Sequence, residues 1–433
     1  MKNIVILGAG TGGALISNLL SQHLDLDEWQ ITVIDRSLQH VYQPGLLFIP
    51  FGMYDYKSGK DICRDILDPL PKDARFVAGD IKLIDHEKKL VETDKGNFSY
   101  DFLVSTMGCH PDPGGVQGLS EALGMNGVHT FYDMEGAAKL QGALDQFKHG
   151  RLVIDICEMP IKYPVASLEF AFLADYYFHL KGIRDRVEIS LATPFAGAFI
   201  KPNANRVFTS IAEQKGIKVV PNFTASALNA DKKKLYSSDG RDLDYDLLVT
   251  VPRHAGPEVL DYSELSDGNG YALTDPTTLK SKRADFIFCM GDNANVSSSK
   301  AASVAYFEAD TVLENLLCEM EGKPAEASFD GHSNCFIESG YNKALLIDFN
   351  CDMEPLEGSF PMPHMGPMSL LKESRMNHVG KLAFKWVYWN LLLPGRMSSM
   401  PFLAAHMNFR AKQHFQSHLP DGQTMHQASE SNG

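Results

Sequence analysis

Three glycines near the amino terminus are spaced for phosphate chemistry. In KNIVILGAGTGGALISNLL, Gly8, Gly10 and Gly13 follow a short apolar run, Ile4 to Leu7, and precede an apolar helix that starts near Ala14. That spacing serves a tight turn, a close approach of backbone to a pyrophosphate, and close packing of helix on strand. The helix start adds amide donors and a dipole that favours an anion. A second strand, WQITVIDR, ends in Asp35, 22 residues after Gly13. An acid there accepts hydrogen bonds from a ribose hydroxyl pair. Strand, glycines, helix, second strand and acid agree, so this stretch predicts a dinucleotide site.

A second unit of the same kind opens at VIDICEMPIKYPVASLEF, residues 153–170. A buried run, Val153 to Ile156, leads into a loop and then an apolar helix. No glycine lies between Gly150 and Gly182, and the loop carries Cys157, Pro160 and Pro164 instead. The prolines fix the backbone, and side chains obstruct a pyrophosphate. The unit is expected to keep a dinucleotide-like architecture and to bind no nicotinamide.

The elements that position these groups need more than one core. A chain of 433 residues calls for two or three domains. Apolar content of 44% and charged content of 22% suit a folded soluble or peripheral protein. Forty basic against 54 acidic residues give a net charge of −14, which argues against general nucleic-acid binding and its basic face. Seven scattered cysteines do not form a secreted disulfide framework. No Cys-x-x-Cys or clustered histidine suggests a metal. Met1-Lys2-Asn3 runs straight into a strand, so no cleavable signal peptide is expected. No stretch of 18 uncharged apolar residues exists to span a membrane.

RADFIFCMGDNANVSSSKAASVAYFEADTVLENL supplies a strand, Phe286 to Met290, then Gly291-Asp292, then a long helix. This resembles the second FAD contact of flavoproteins with two dinucleotide folds. SYDFLVSTMGCHPDP and DYDLLVTVPRH match their paired crossover segments. Together these pieces resemble the flavin disulfide-reductase-like superfamily. Within it the chain is similar to the sulfide:quinone oxidoreductases, with flavocytochrome c sulfide dehydrogenase and type II NADH dehydrogenase as relatives. The more distinctive pieces are VYQPGLLFIPFG, PVASLEFAFLADYYF, GDNANVSSSKAASVAYFEA and NCFIESGYNKALLIDFN.

The resemblance implies FAD held by Gly8, Gly10, Gly13, Asp35, Gly291 and Asp292, with Lys300 toward the flavin or a quinone headgroup. It implies oxidation of sulfide or a related small sulfur donor, with electrons passed to membrane quinone. The family uses two redox cysteines, one in the turn of the second unit and one in the carboxy-terminal domain. Cys335 in NCFIESG matches the latter. The former usually stands immediately before PVA.LEF, and here that position is Tyr163. Cys157, six residues upstream, is the substitute, with a buried strand-end thiol as its plainer reading. Cys351 is a spare thiol. Glu169, in the LEF context, suits a proton relay or is simply a helix acid. The departure at Tyr163 keeps two other functions open: NAD(P)H:quinone oxidoreduction, disfavoured by the missing second fingerprint, and a flavin-binding sensor or scaffold without sulfide chemistry.

The expected fold is α/β with two Rossmann-like dinucleotide-binding domains. The first is split into residues 1–113 and 245–330 around a second at 114–244, and 331–433 form a carboxy-terminal membrane-facing region. CFIESG and ALLIDFN alternate like strands of a small sheet. LLKESRMNHVGKLAFKWVYWNLLLPGR reads as an amphipathic helix, with Lys381 and Lys385 on one side and Trp386, Trp389 and Leu391 to Leu393 adding apolar surface. Basic residues beside Trp and Leu mark a helix lying in a bilayer interface. Packing on the core, or against a second copy in a homo-oligomer, is the competing reading. MSSMPFLAAHMNF extends the same surface, and the polar tail after Leu419 reads as disordered. A peripheral protein on the cytoplasmic membrane face is expected.

Overall fold

A computed structural model describes residues 1–56, 62–361 and 365–397. The stretch beyond Met397, with most of MSSMPFLAAHMNF and the polar tail, lies outside the described residues. The architecture is mixed α/β, built on two five-stranded parallel sheets.

The first sheet runs Ile287–Cys289, Phe102–Ser105, Lys2–Leu7, Trp29–Asp35, Arg75–Ala78. The second runs Val128–His129, Leu247–Val251, Gly150–Ile156, Val187–Ala192, Ile217–Val220. Their inner strands are near-continuous apolar runs, as parallel strands covered on both faces must be. Each sheet also carries a three-stranded antiparallel meander, residues 81–99 on the first and 225–244 on the second, just ahead of the strand beside the central one. The same plan is thus used twice. Lys2–Leu7 is central in one sheet and Gly150–Ile156 in the other, so the turn after Ile156 stands where Gly8 to Gly10 stand in the first sheet. The two halves meet through an antiparallel pairing of His110–Pro111 with His254–Ala255.

Two long helices fix the first sheet. Thr11–His23 buries eight residues, and Ala302–Met320 packs beside it. In the second, Ala166–Leu180 buries most of its length and bridges to the carboxy-terminal sheet. That sheet has four strands in the order Ser333–Gly340, Lys343–Phe349, Met368–Leu370, Gly358–Phe360. CFIESG and ALLIDF fall in its first two strands, as their alternation predicts.

The expected amphipathic helix is Arg375–Val387, started by Ser374, whose side chain accepts the Asn377 N–H at 3.0 Å. It lies across the first two strands of this sheet and continues into one π-helical turn, Tyr388–Leu392. A π turn rotates the residues that follow it relative to an α-helical stripe. Trp386 is accordingly 59% exposed, while Trp389 is 8% exposed and turned onto the first half. Among the described residues no helix is long and apolar enough to cross a membrane.

Candidate active site

The glycine loop fits a bound dinucleotide on its own geometry. A Cβ on Gly13 would sit 1.8 Å from the Gly8 carbonyl oxygen, so only hydrogen fits between helix and loop. A Cβ on Gly10 would meet nothing within 4 Å, so the space in front of that backbone is open. The helix from Thr11 has no side-chain cap and no acid in its first turn, which leaves its amide end free for an anion. Asp35 is held at the loop: its carboxylate accepts the Ala9 N–H at 2.7 Å and the Ser37 N–H at 2.8 Å.

Gly291 and Asp292 open a short turn between the strand Ile287–Cys289 and the helix Ala302–Met320. The Gly291 N–H donates to Glu308, and Asn293 accepts the Gly108 N–H at 3.3 Å, which ties the ends of two adjacent strands. Asp292 is close enough to Cys109 and Tyr271 to raise both groups, after burial itself; the Cys109 thiol is pushed up to about 12. Burial pushes the Glu308 carboxyl up to about 7, and the Asp292 charge adds to it.

The glycine-free turn of the second half is packed shut. The His254 N–H donates to the Pro160 carbonyl at 2.7 Å, and the Tyr163 N–H to the Lys300 carbonyl at 3.0 Å. The Tyr132 hydroxyl donates to the Lys162 carbonyl at 2.8 Å. Cys157 is buried at the strand end. Its thiol bonds Asp155 at 3.0 Å and Thr250 at 3.1 Å, and its neighbours are Val153, Val116 and Ala225.

Cys335 stands elsewhere, on the strand Ser333–Gly340. Tyr163, Glu169 and Lys381 surround it. The Tyr163 hydroxyl donates to the Phe336 carbonyl at 2.9 Å, and Lys381 Nζ donates to the same oxygen at 2.8 Å. Burial pushes the Cys335 thiol up to about 12, against the opposing pull of Lys381 and Tyr163. A cavity of about 1080 Å³ opens onto this region, lined by Cys335, Cys351, Lys300, Pro160 and Pro164, and Cys157 does not line it. Lys300 Nζ donates to the Ala294 carbonyl at 2.9 Å and lies 4.7 Å from the Tyr271 ring centroid. Cys351 is exposed and donates to the Ser297 carbonyl at 3.0 Å. The arrangement therefore gathers Tyr163, Glu169, Cys335 and Lys300 about one region and leaves Cys157 in a separate core.

Glu169 is fully buried. Its Oε1 accepts Lys381 Nζ at 2.8 Å and the Glu338 N–H at 2.9 Å, and its Oε2 has no partner among the described residues. Glu338 lies next along the network, 2.8 Å from His378 Nδ1. Burial, with the Glu169 charge, pushes its carboxyl up to about 8 despite Lys381. Lys381 was expected on the bilayer face of its helix and instead turns inward, because a buried carboxylate needs a counter-charge. Glu338 and His378 were not singled out in the sequence, and Lys381 reads there only as a membrane-facing cation. His378 and Lys381 share a helix face at i, i+3, but nothing local marks it as the inner one.

A second unforeseen contact reaches the glycine loop. The Tyr388 hydroxyl bonds Thr11 Oγ1 at 2.8 Å and His40 Nε2 at 2.7 Å, and His40 Nδ1 is 3.1 Å from the Ala9 carbonyl. Trp389 packs edge-on to His40 with centroids 5.3 Å apart, beneath the Arg64 guanidinium. Asn18 and Gln22 donate to the Leu393 and Pro394 carbonyls. The segment 388–395 is thereby fastened to the helix that starts at the glycine loop.

No family model matches the chain. It is 28% identical over 403 residues to the mitochondrial sulfide:quinone oxidoreductase of Dictyostelium discoideum, covering 92% of this chain and 87% of that protein. A structure of the sulfide:quinone oxidoreductase from Aquifex aeolicus matches with a TM-score of 0.76 at 19% identity, over 90% of this chain and 92% of that one. A type II NADH:quinone oxidoreductase of Staphylococcus epidermidis is 31% identical over 121 residues, only 28% of this chain and 29% of that protein.

Proposed function

We infer that this chain is a member of the sulfide:quinone oxidoreductase family, and that it oxidises sulfide or a related sulfur species and passes the electrons to quinone. FAD is its cofactor, and when bound it takes an electron pair from the donor and yields it to the acceptor. The observation that carries the reading is the central turn of the second sheet, which is glycine-free and pinned by Lys300, His254 and Tyr132, beside a cavity lined by Cys335. A nicotinamide has no loop there on which to rest its pyrophosphate. In sequence the type II NADH:quinone oxidoreductase matches only 28% of the chain, whereas the Dictyostelium discoideum sulfide:quinone oxidoreductase matches 92% of it.

Several assignments follow from this reading. Gly8, Gly10, Gly13 and Asp35 hold the dinucleotide along the first sheet, with Gly291 and Asp292 at the flavin end; the open space at Gly10 and the uncapped helix support this. Two dinucleotide-binding domains are kept, the first split around the second, but the strand Leu247–Val251 pairs with Gly150–Ile156, so the second domain runs past the expected boundary at 244 and the first resumes after Val251. Cys335 is the sulfur-bearing residue, Glu169 the buried acid beside it, and Lys300 a cavity-lining cation on the same side. Cys157 keeps a redox role only if the turn refolds, since its thiol is committed to Asp155 and Thr250.

The protein attaches peripherally to a membrane, where its quinone resides. Met376, Val379, Leu382 and Trp386 form an exposed apolar stripe on one face of the helix Arg375–Val387, which supports contact with a bilayer surface. All seven cysteines are free thiols, which suits the reducing, cytoplasmic side. Anaerobic titration of the purified flavoprotein tests the donor. Sulfide should bleach the flavin and NADH should not. Bleaching by NADH alone would transfer the protein to the nicotinamide-oxidising class, and bleaching by neither would leave a sensor or scaffold.

A further inference from the structure

We propose that Cys335 works as a single redox thiol, and that Tyr163, standing where a second cysteine is expected, is the residue that holds its thiolate, so that sulfide is captured as a persulfide on Cys335. This rests on the sulfide reading above and names how that site works.

The turn is built to hold Tyr163 in one pose. Its φ is +42°, a left-handed conformation that a bulky aromatic residue adopts only when its surroundings impose it. The Lys300 carbonyl fixes its N–H, and Tyr132 fixes the Lys162 carbonyl just before it. The phenol so placed lies beside the Cys335 thiol and the Glu169 carboxylate. A hydroxyl has one hydrogen to give. In the resting protein it goes to the Phe336 carbonyl, at 2.9 Å. That carbonyl has a second donor, Lys381 Nζ at 2.8 Å, so the tyrosine hydrogen can rotate away without leaving a buried acceptor empty. A thiolate at Cys335 is the stronger acceptor, since a hydrogen bond to an ionised partner outweighs a neutral one.

The groups facing Cys335 sort accordingly. Burial opposes the thiolate most, Lys381 and Tyr163 favour it, and Glu169 and Asp348 add to the opposition. Glu169 Oε2 is buried and, among the described residues, has no hydrogen-bond donor, so the site holds a spare acceptor beside Tyr163. All seven cysteines are free thiols, and none is bonded to Cys335. Cys157 sits in another core, and Cys351 is exposed and bonded to Ser297.

The capture step balances with quinone as oxidant. The Cys335 thiolate, hydrosulfide, quinone and one proton give the Cys335 persulfide anion and quinol. One S–S bond forms and one S–H bond breaks. The two electrons, that proton and the added one complete the quinol. A second hydrosulfide then attacks the outer sulfur, leaves as hydrodisulfide and restores the thiolate.

The test uses the full-length flavoprotein. After turnover with sulfide and quinone, peptide mapping by mass should find the Cys335 peptide heavier by one sulfur atom and no linked cysteine peptides. The pH profile of Cys335 alkylation gives a second readout that a mere space-filling tyrosine would not move. Tyr163→Phe, which removes only the hydroxyl, should raise its midpoint by about one pH unit and slow alkylation about tenfold at fixed pH below it. A Cys335 bridge to Cys157 or Cys351 in a sulfide-active protein, or an unmoved midpoint in Tyr163→Phe, overturns the single-thiol site. Failure of sulfide to bleach the unaltered protein overturns the sulfide reading itself, and the capture with it.

Discussion

At the scale of single residues, Gly10 and Gly13 of the amino-terminal glycine loop do different jobs and should fail differently. Gly10→Val adds a side chain to open space, so the protein should fold and purify colourless, with flavin absorbance lost at unchanged far-ultraviolet circular dichroism. Gly13→Ala drives a methyl to 1.8 Å from the Gly8 carbonyl, so helix and strand must part. Overpacking of that kind costs about 1–3 kcal/mol, and urea unfolding should show it even without flavin. A folded, fully yellow Gly10→Val protein would remove the dinucleotide from this loop. Lys381 offers a second residue-scale test. Lys381→Met leaves Glu169 buried and unpaired, a loss of about 3–5 kcal/mol. Adding Glu169→Gln removes the stranded charge and should recover most of it, and a double variant no more stable than the single would argue against the pair. The glycines were legible in the sequence because backbone constraints act over a few residues. The ion pair was not, because its partners are far apart in sequence and meet only through tertiary packing.

At the scale of elements, the helix Arg375–Val387 and the π turn after it separate two roles that the sequence merged. Trp386 and Trp389 read alike on a helical projection, yet one is exposed and the other lies against His40 and Tyr42. Val379→Glu with Trp386→Glu should release the protein from anionic lipid vesicles in a flotation assay and leave the flavin spectrum intact. Unchanged flotation, with a switch from dimer to monomer in sedimentation, would identify the stripe as a contact between copies. Trp389→Ala should instead lower unfolding free energy by about 3–5 kcal/mol, with vesicle binding retained by whatever remains folded. The strands were readable because each is one apolar run, and the cysteine in the glycine-free turn was not. Cys157 looked available by spacing alone, but its thiol, just past the strand end, bonds Asp155 and Thr250. The expected strand from Phe286 to Met290 is present in shortened form as Ile287–Cys289.

At the scale of the whole molecule, buried acids and buried histidines set opposing limits on stability. Burial raises Glu308 from 4.5 to about 7 and Asp155 from 3.8 to about 7. A raised folded pKa means stability that is complete below the unfolded value and lost as pH climbs through the folded one. Burial lowers His40 from 6.5 to about 4 and His254 to about 3, so their contribution is lost as pH falls below 6.5. The melting temperature should therefore peak in mildly acidic buffer and decline toward pH 8. Glu308→Gln keeps an acceptor for the Gly291 N–H and should flatten the alkaline decline. An unchanged slope in that variant would mean the carboxyl is already ionised when folded.

The link between Tyr388 and Thr11 spans 377 positions of sequence, and that separation is also a delay. A ribosome adding 5–20 residues per second makes the glycine loop roughly 20 to 75 seconds before it makes Tyr388. The strand Ile287–Cys289, which completes the first sheet, also arrives late. For most of its synthesis the chain therefore carries its glycine loop without the segment that later fastens to it. A cofactor entering during that interval meets an unclasped loop, and residues 388–395 reach the first helix only afterwards.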